Sequence, residues 1–116
     1  MKGLIIKEPY IDQILEGKKK WEFRGSMTKI RGKIALIKSG SKRIFGEVDL
    51  VDCFEINLEE YAEFCECLYG KKESSLPYVR TYAWVLANPI IYNEPKIYKH
   101  PRGAIIWVNL WVNNIS

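Results

Sequence analysis

Histidine and cysteine are scarce in this chain, and their scarcity removes several kinds of chemistry at the outset. Among 116 residues there is one histidine, His100, and there are three cysteines, Cys53, Cys65 and Cys67. An odd thiol count without disulfide-framework spacing points to reduced, structural cysteines. Cys65 and Cys67 stand two positions apart, which on a helix turns them about 200° from each other. A tetrahedral zinc site needs Cys and His ligands that converge, so neither a metal nor a cofactor is expected. Long apolar runs are missing too. None approaches the roughly 20 residues of a membrane-spanning helix. Met1–Lys7 has a short apolar stretch ended by a charge, unlike a signal peptide. The expectation is a cytoplasmic protein with no membrane partner.

Charge of one sign is scarce in each of two successive blocks. Residues 18–43 hold ten Lys/Arg against a single acid, Glu22, whereas residues 44–76 hold nine Asp/Glu against Lys71 and Lys72. The net charge of +4 hides this asymmetry. Two solvated faces of opposite sign would explain it. So would a cationic surface for phosphates with an acidic helix held away from the polyanion.

Chain length allows one hydrophobic core, so residues 1–116 are expected to form a single domain. Leu4-Ile5-Ile6 is β-prone. Pro9 suits a helix start, Ile11, Ile14 and Leu15 follow at helical spacing, and Gly17 is a C-cap, which predicts a helix over Pro9–Glu16. Lys20–Arg24 alternates, with Trp21 and Phe23 expected towards the core and Glu22 and Arg24 on the other face. Gly32–Lys38 and Phe45–Val51 read as strands joined by the Ser39-Gly40-Ser41-Lys42 turn. Leu58–Tyr69 is an amphipathic helix with Asn57 as N-cap and Gly70 as stop. Thr81–Leu86 and Ala104–Val112 carry the strongest strand signals. Ile90–Tyr92 and Lys96–Tyr98, in the proline-punctuated stretch between them, read as short strands or extended edges. About six short strands and two helices without regular alternation predict a mainly β, α+β domain: a small barrel with a mixed sheet.

Lys7-Glu8-Pro9-Tyr10, a helix ending in Ile14-Leu15-Glu16-Gly17, and then Lys18-Lys19-Lys20-Trp21-Glu22-Phe23-Arg24 resemble the signature of the ASCH family. Tyr82-Ala83-Trp84-Val85-Leu86 and His100-Pro101-Arg102-Gly103-Ala104 with Trp107 resemble that family's last strands. The resemblance implies a PUA-like barrel with a cleft between the first helix, the Glu-x-Arg strand and a neighbouring loop, and recognition of RNA or a nucleotide. Some bacterial ASCH proteins are amidohydrolases acting on acetylated cytidine, and one branch is described as a ribonuclease. The motif lysine falls on Lys19, its acid on Glu22 and its arginine on Arg24. The amidohydrolase branch carries a nucleophilic threonine where Glu22 stands here, and its other catalytic glutamate lies nearest to Glu60 or Glu63.

The same residues have a chemistry of their own. Glu22, flanked by Lys20 and Arg24, should stay ionised and accept hydrogen bonds, as carboxylates accept from an exocyclic amine. Arg24 offers a planar fork to phosphate, base edge or Glu22. Lys7, Lys19, Lys20, Lys38 and Lys42 supply point charges, and Ser39 belongs to a turn that either cradles a phosphate or only closes a hairpin. Tyr10, Tyr82 and Trp84 are candidate stacking surfaces. His100 is either a proton shuttle or a loop brace, with Arg102 beside it. Three readings stay open: an RNA- or nucleotide-binding domain using these residues, a hydrolase with Lys19 and Glu22 as its catalytic pair, and a protein-interaction module using the acidic helix. A monomer or weak dimer is expected.

Overall fold

The computed structural model describes residues 1–111. Six strands and two helices follow in the order β1 (Lys2–Ile6), α1 (Tyr10–Leu15), β2 (Trp21–Arg24), β3 (Gly32–Lys38), β4 (Arg43–Ile56), α2 (Leu58–Tyr69), β5 (Thr81–Ile97) and β6 (Trp107–Asn109). The sheet order is β2-β5-β4-β3-β1-β6, with β1 parallel to β3 and every other pair antiparallel. The mainly β, α+β expectation with a mixed sheet holds.

The sheet is rolled rather than closed. β2 and β6 are its two edges, and no ladder joins them among the described residues. Yet Trp84 of β5 stacks on Trp107 of β6 at 5.7 Å, so strands from opposite ends of the order face each other across the interior. The gap is bridged by a side chain: Arg24 Nη2 donates to the Ile5 carbonyl at 2.9 Å, and Ile5 N–H donates to Ile106 O at 2.9 Å. "Barrel" therefore describes the curvature and not the hydrogen bonding.

Inside the roll, Leu4, Ile6, Ile34, Leu36, Val48, Leu50, Trp84 and Leu86 form the main core, and α1 inserts Ile11, Ile14 and Leu15 into it. Each such side chain contributes about 1.5–3 kcal/mol on full burial. A smaller second cluster, with Ile37, Ile44, Tyr98 and Val108, covers the other face of β3, β1 and β6.

Gly46 is required where β4 passes α1. A Cβ there would run into the Ile90 carbonyl oxygen and stand 2.6 Å from Leu15 Cδ2. Register shifts between β4 and β5 beside this glycine let both strands run on as one long, bent ribbon. Asn88, at φ +52°, absorbs part of the bend and ties its amide to Asp49 at 2.9 Å.

α2 starts and stops where its capping residues predict. Asn57 accepts from Glu60 N–H, Glu60 Oε1 accepts from Asn57 N–H, and Gly70 closes the helix at φ +73°. Of the strand expected over Ala104–Val112, Trp107–Asn109 alone form a strand among the described residues, Ile105 is solvent-exposed, and Val112 lies outside the described residues. Among the described residues no helix is long and apolar enough to cross a membrane.

Candidate functional site

β2 places its side chains in the reverse of the expected sense. Glu22 is paired in register with Trp84, so it faces the interior of the roll, and Arg24 follows on the same side. Trp21 and Phe23 face outwards, yet α2 covers them: Trp21 stacks on Phe64 at 5.1 Å and Phe23 meets Tyr61 edge-on at 4.9 Å. A second apolar layer thus accepts the aromatic face and frees the charged face to line a cavity.

That cavity is a cleft of about 760 Å³, within the size range of small-molecule sites. Six of the residues singled out above meet there: Lys7, Tyr10, Lys19, Glu22, Arg24 and Ser39. They converge because α1 is short and ends in a tight turn. Gly17 adopts φ +81°, and the N–H groups of Lys18 and Lys19 both donate to Gln13 O, at 3.0 and 3.1 Å, which points the chain back into β2.

Lys19 is 4% exposed. Its Nζ lies 4.5 Å from the Phe23 ring centre, 5.2 Å from Phe64 and 5.4 Å from Tyr10, and no hydrogen bond or ion pair holds it among the described residues. Burial pulls its pKa below the usual lysine value, partly offset by the nearby Glu22 and Cys65. Glu22, also buried, receives both Arg24 contacts on one oxygen: Nε at 3.1 Å and Nη2 at 2.9 Å reach Oε2. Oε1 is left without a hydrogen bond among the described residues. A donor ammonium and an acceptor oxygen thus border one aromatic cleft.

The opposite wall was not legible as a site. Tyr61, Cys65 and Tyr69 recur every four residues along α2 and line the cleft, with Gln13, Glu73, Pro77, Tyr78, Ile105 and Ile106. Tyr69 donates to Gln13 Oε1 at 2.9 Å, and burial pushes its pKa up to about 12. Burial likewise raises Tyr61, helped by its contact with Cys65. Both phenols therefore stay protonated donors at neutral pH. The downstream glutamate in the cleft is Glu73, whereas Glu60 caps α2 and Glu63 is exposed. The recurrence of Tyr61, Cys65 and Tyr69 at four-residue steps was the available signal.

The remaining candidates lie elsewhere. Trp84 is buried in the core and donates from Nε1 to Ser26 O at 3.0 Å, so its ring is not open for stacking. Tyr82 packs against that core and lies near Arg80, which forks onto Glu55. Lys38 is held by Asp12 at 3.3 Å and Glu8 at 3.9 Å. Lys42 is exposed in the hairpin turn, at φ +55°, where the Ser41 hydroxyl serves the turn's own backbone. Lys20 lines a smaller pocket of about 250 Å³ beside Gly17 and Pro89. His100 braces its own loop. The Ala104 carbonyl at 2.9 Å can only accept, so Nε2 donates to it, and Nδ1 shares a hydrogen bond with the Tyr98 hydroxyl at 2.7 Å. Arg102 is exposed in that loop. The cleft's charges are Lys7, Lys19 and Arg24 against Glu22 and Glu73, a near balance rather than a strongly basic groove. Cys53, Cys65 and Cys67 are free thiols, and no cluster of three or more His, Cys, Asp or Glu side chains fit to hold a metal occurs among the described residues.

Comparison with solved structures finds the same fold in the ASCH protein of Zymomonas mobilis. A serine-to-alanine mutant of that protein superposes with a TM-score of 0.64 at 14% identity, covering 96% of this chain and 88% of that one. A tyrosine-to-phenylalanine mutant gives 0.55 at 15% identity, covering 82% and 71%. No curated protein matches the sequence. The family model of the ASCH domain matches residues 4–96, which takes in every cleft element except the Ile105–Ile106 rim. The chain belongs to the ASCH domain family.

Proposed function

We propose that this domain binds a nucleotide of RNA, or a free nucleotide or nucleoside, by inserting the base into the cleft between Tyr10, Phe23, Tyr61 and Tyr69. The observation that carries the reading is the pairing of a buried, unbonded ammonium on Lys19 with the open Glu22 Oε1 between aromatic walls. Nucleobases are flat, and their edges alternate donors and acceptors. An exocyclic N–H fits Glu22, a ring carbonyl or nitrogen fits Lys19, and the π-faces fit the tyrosines, each stacked base being worth about 1–3 kcal/mol. The near balance of charge in the cleft supports a reading in which the base is recognised more than the phosphate backbone. The three free thiols suit a reducing compartment, and we place the activity in the cytoplasm.

One observation favours a second reading, hydrolysis of a modified nucleoside or of RNA. A lysine whose pKa is lowered by burial is present as the neutral amine in a larger fraction at accessible pH, and Glu73 adds a second carboxylate to the cleft. Lys19 would then take a proton or attack, while Glu22 handles the proton passed on.

A mass-spectrometric assay separates the two readings. Purified protein is incubated with short RNAs and a nucleoside panel including acetylcytidine, beside Lys19→Ala and Glu22→Gln. Saturable retention without product, lost in Lys19→Ala, is the expected result. Product formed by the wild type and lost in both variants would replace the binding reading by the enzymatic one. Neither retention nor product would overturn both.

A further inference from the structure

We propose that the rim of the cleft, where β1 and β3 end side by side, is a phosphate subsite made by Lys7 and Ser39, and that the ligand is a nucleoside phosphate entering base first. The proposal rests on the base-binding reading above and adds a direction and a ligand class to it.

The two residues are brought together by the one parallel ladder in the sheet. Ile6 is in register with Lys38, and Ser39 N–H donates to Ile6 O at 2.9 Å, so Lys7 and Ser39 are the next residues out on adjacent strands. Both line the cleft and both are exposed. The Lys7 carbonyl accepts from Ile11 N–H at 3.1 Å, but its ammonium has no hydrogen bond or ion pair among the described residues. The acids nearest to it in sequence and on α1, Glu8 and Asp12, converge instead on Lys38 Nζ. The Ser39 hydroxyl is likewise uncommitted among the described residues, whereas the Ser41 hydroxyl is consumed by its own turn. An ammonium and a hydroxyl at a hydrated rim suit a phosphate, because full burial of an ionised group is costly.

The floor offers a phosphate little net attraction. Its cations, Lys19 and Arg24, are matched by the carboxylates of Glu22 and Glu73, and Arg24 commits Nε and Nη2 to Glu22 and the Ile5 carbonyl. The net attraction for a phosphate therefore lies at the rim, where the Lys7 ammonium is unpaired among the described residues. Arg24 marks the floor at Ile5, and Lys7 lies two residues further on, just past the end of β1, about 7 Å at strand rise. A ribose puts a comparable separation between a base and its phosphate.

Calorimetric titration of the wild type and of the Lys7→Ala/Ser39→Ala double variant tests this, with the four ribonucleosides, their 5′-monophosphates and a short RNA homopolymer of each base. Thermal unfolding first confirms that the double variant is folded. For the preferred base, the wild type is expected to bind the monophosphate about tenfold more tightly than the nucleoside, and the double variant is expected to lose that advantage. The same loss with the homopolymer would identify a strand as the source of the phosphate, and its restriction to the monophosphate would identify a free nucleotide. Equal wild-type affinity for nucleoside and monophosphate, or an advantage that survives in the double variant, overturns the subsite and leaves base binding intact. Binding of none of these ligands overturns both.

Discussion

Lys19 Nζ stands 4.5 Å from the centre of the Phe23 ring, in a cage that Phe64 and Tyr10 complete, and no carboxylate reaches it within ion-pair distance among the described residues. The cage already contains its cation, so a ligand must bring an acceptor to this point. Aromatic quadrupoles offset part of the cost of burying the charge, and burial still lowers the Lys19 pKa against the opposing pull of Glu22 and Cys65.

Stability should therefore rise when Lys19 is removed. Lys19→Met fills the cage without a charge and is expected to raise the Tm at neutral pH while weakening ligand binding. The sign of the pH dependence follows from the direction of the shift. The folded protein releases this proton at lower pH than the unfolded chain, so wild-type stability gains as pH climbs from the lowered pKa towards the ordinary lysine value of 10.5. The advantage of Lys19→Met should shrink over that window, as read by thermal unfolding at several pH values. A lower Tm for the variant at neutral pH would contradict the account.

Arg24 is expected to be structural as well as local to the cleft. Arg24→Ala removes three hydrogen bonds and leaves the buried Glu22 carboxylate unpaired. The cost should be about 2–4 kcal/mol in urea unfolding, slightly below that of a fully buried pair because Arg24 keeps 17% of its side chain exposed. Arg24→Lys should recover little of it, because a single ammonium cannot serve Glu22 and the Ile5 carbonyl with the same fork.

Sequence and structure agree best where local chemistry decides. The Asn57 cap, the Gly70 stop and the Gly17 turn are each set within a few residues, and they fall where expected. Disagreement begins where distant segments decide. Trp21 and Phe23 look like core residues and are covered, but by α2 rather than by the roll, which hands the interior face to Glu22 and Arg24. β5 runs through Asn88-Pro89 and Pro95 because β2 pairs only with Tyr82–Val85, which leaves the later part an edge where proline breaks no second ladder. The motif half of the cleft was legible from Lys7 to Ser39. The half supplied by Tyr61, Cys65 and Tyr69 lies on a helix whose sequence shows only its amphipathic character, since nothing local says which neighbour a tyrosine hydroxyl will meet.

Gly46 gives a prediction about the fold alone. Gly46→Ala pushes a methyl against the Ile90 carbonyl and Leu15, and should cost about 1–3 kcal/mol in chemical unfolding. Unchanged stability would mean that β4 and α1 are not in the contact described.

Tyr10, 43% exposed, is a wall of the cleft open to a ligand. Tyr10→Ala should weaken binding by about 1–3 kcal/mol, the range of one stacked base, with little effect on Tm. Tyr82→Phe, outside the cleft, should leave affinity unchanged in the same titration.

The most direct test of the central claim is equilibrium binding of the four ribonucleoside 5′-monophosphates to wild type and Lys19→Met, with the folded state of both confirmed by thermal unfolding. The account predicts saturable binding of at least one nucleotide by the wild type, and its loss in a variant that is more stable than the parent. Equal binding by the two proteins, or no binding by either, would contradict it.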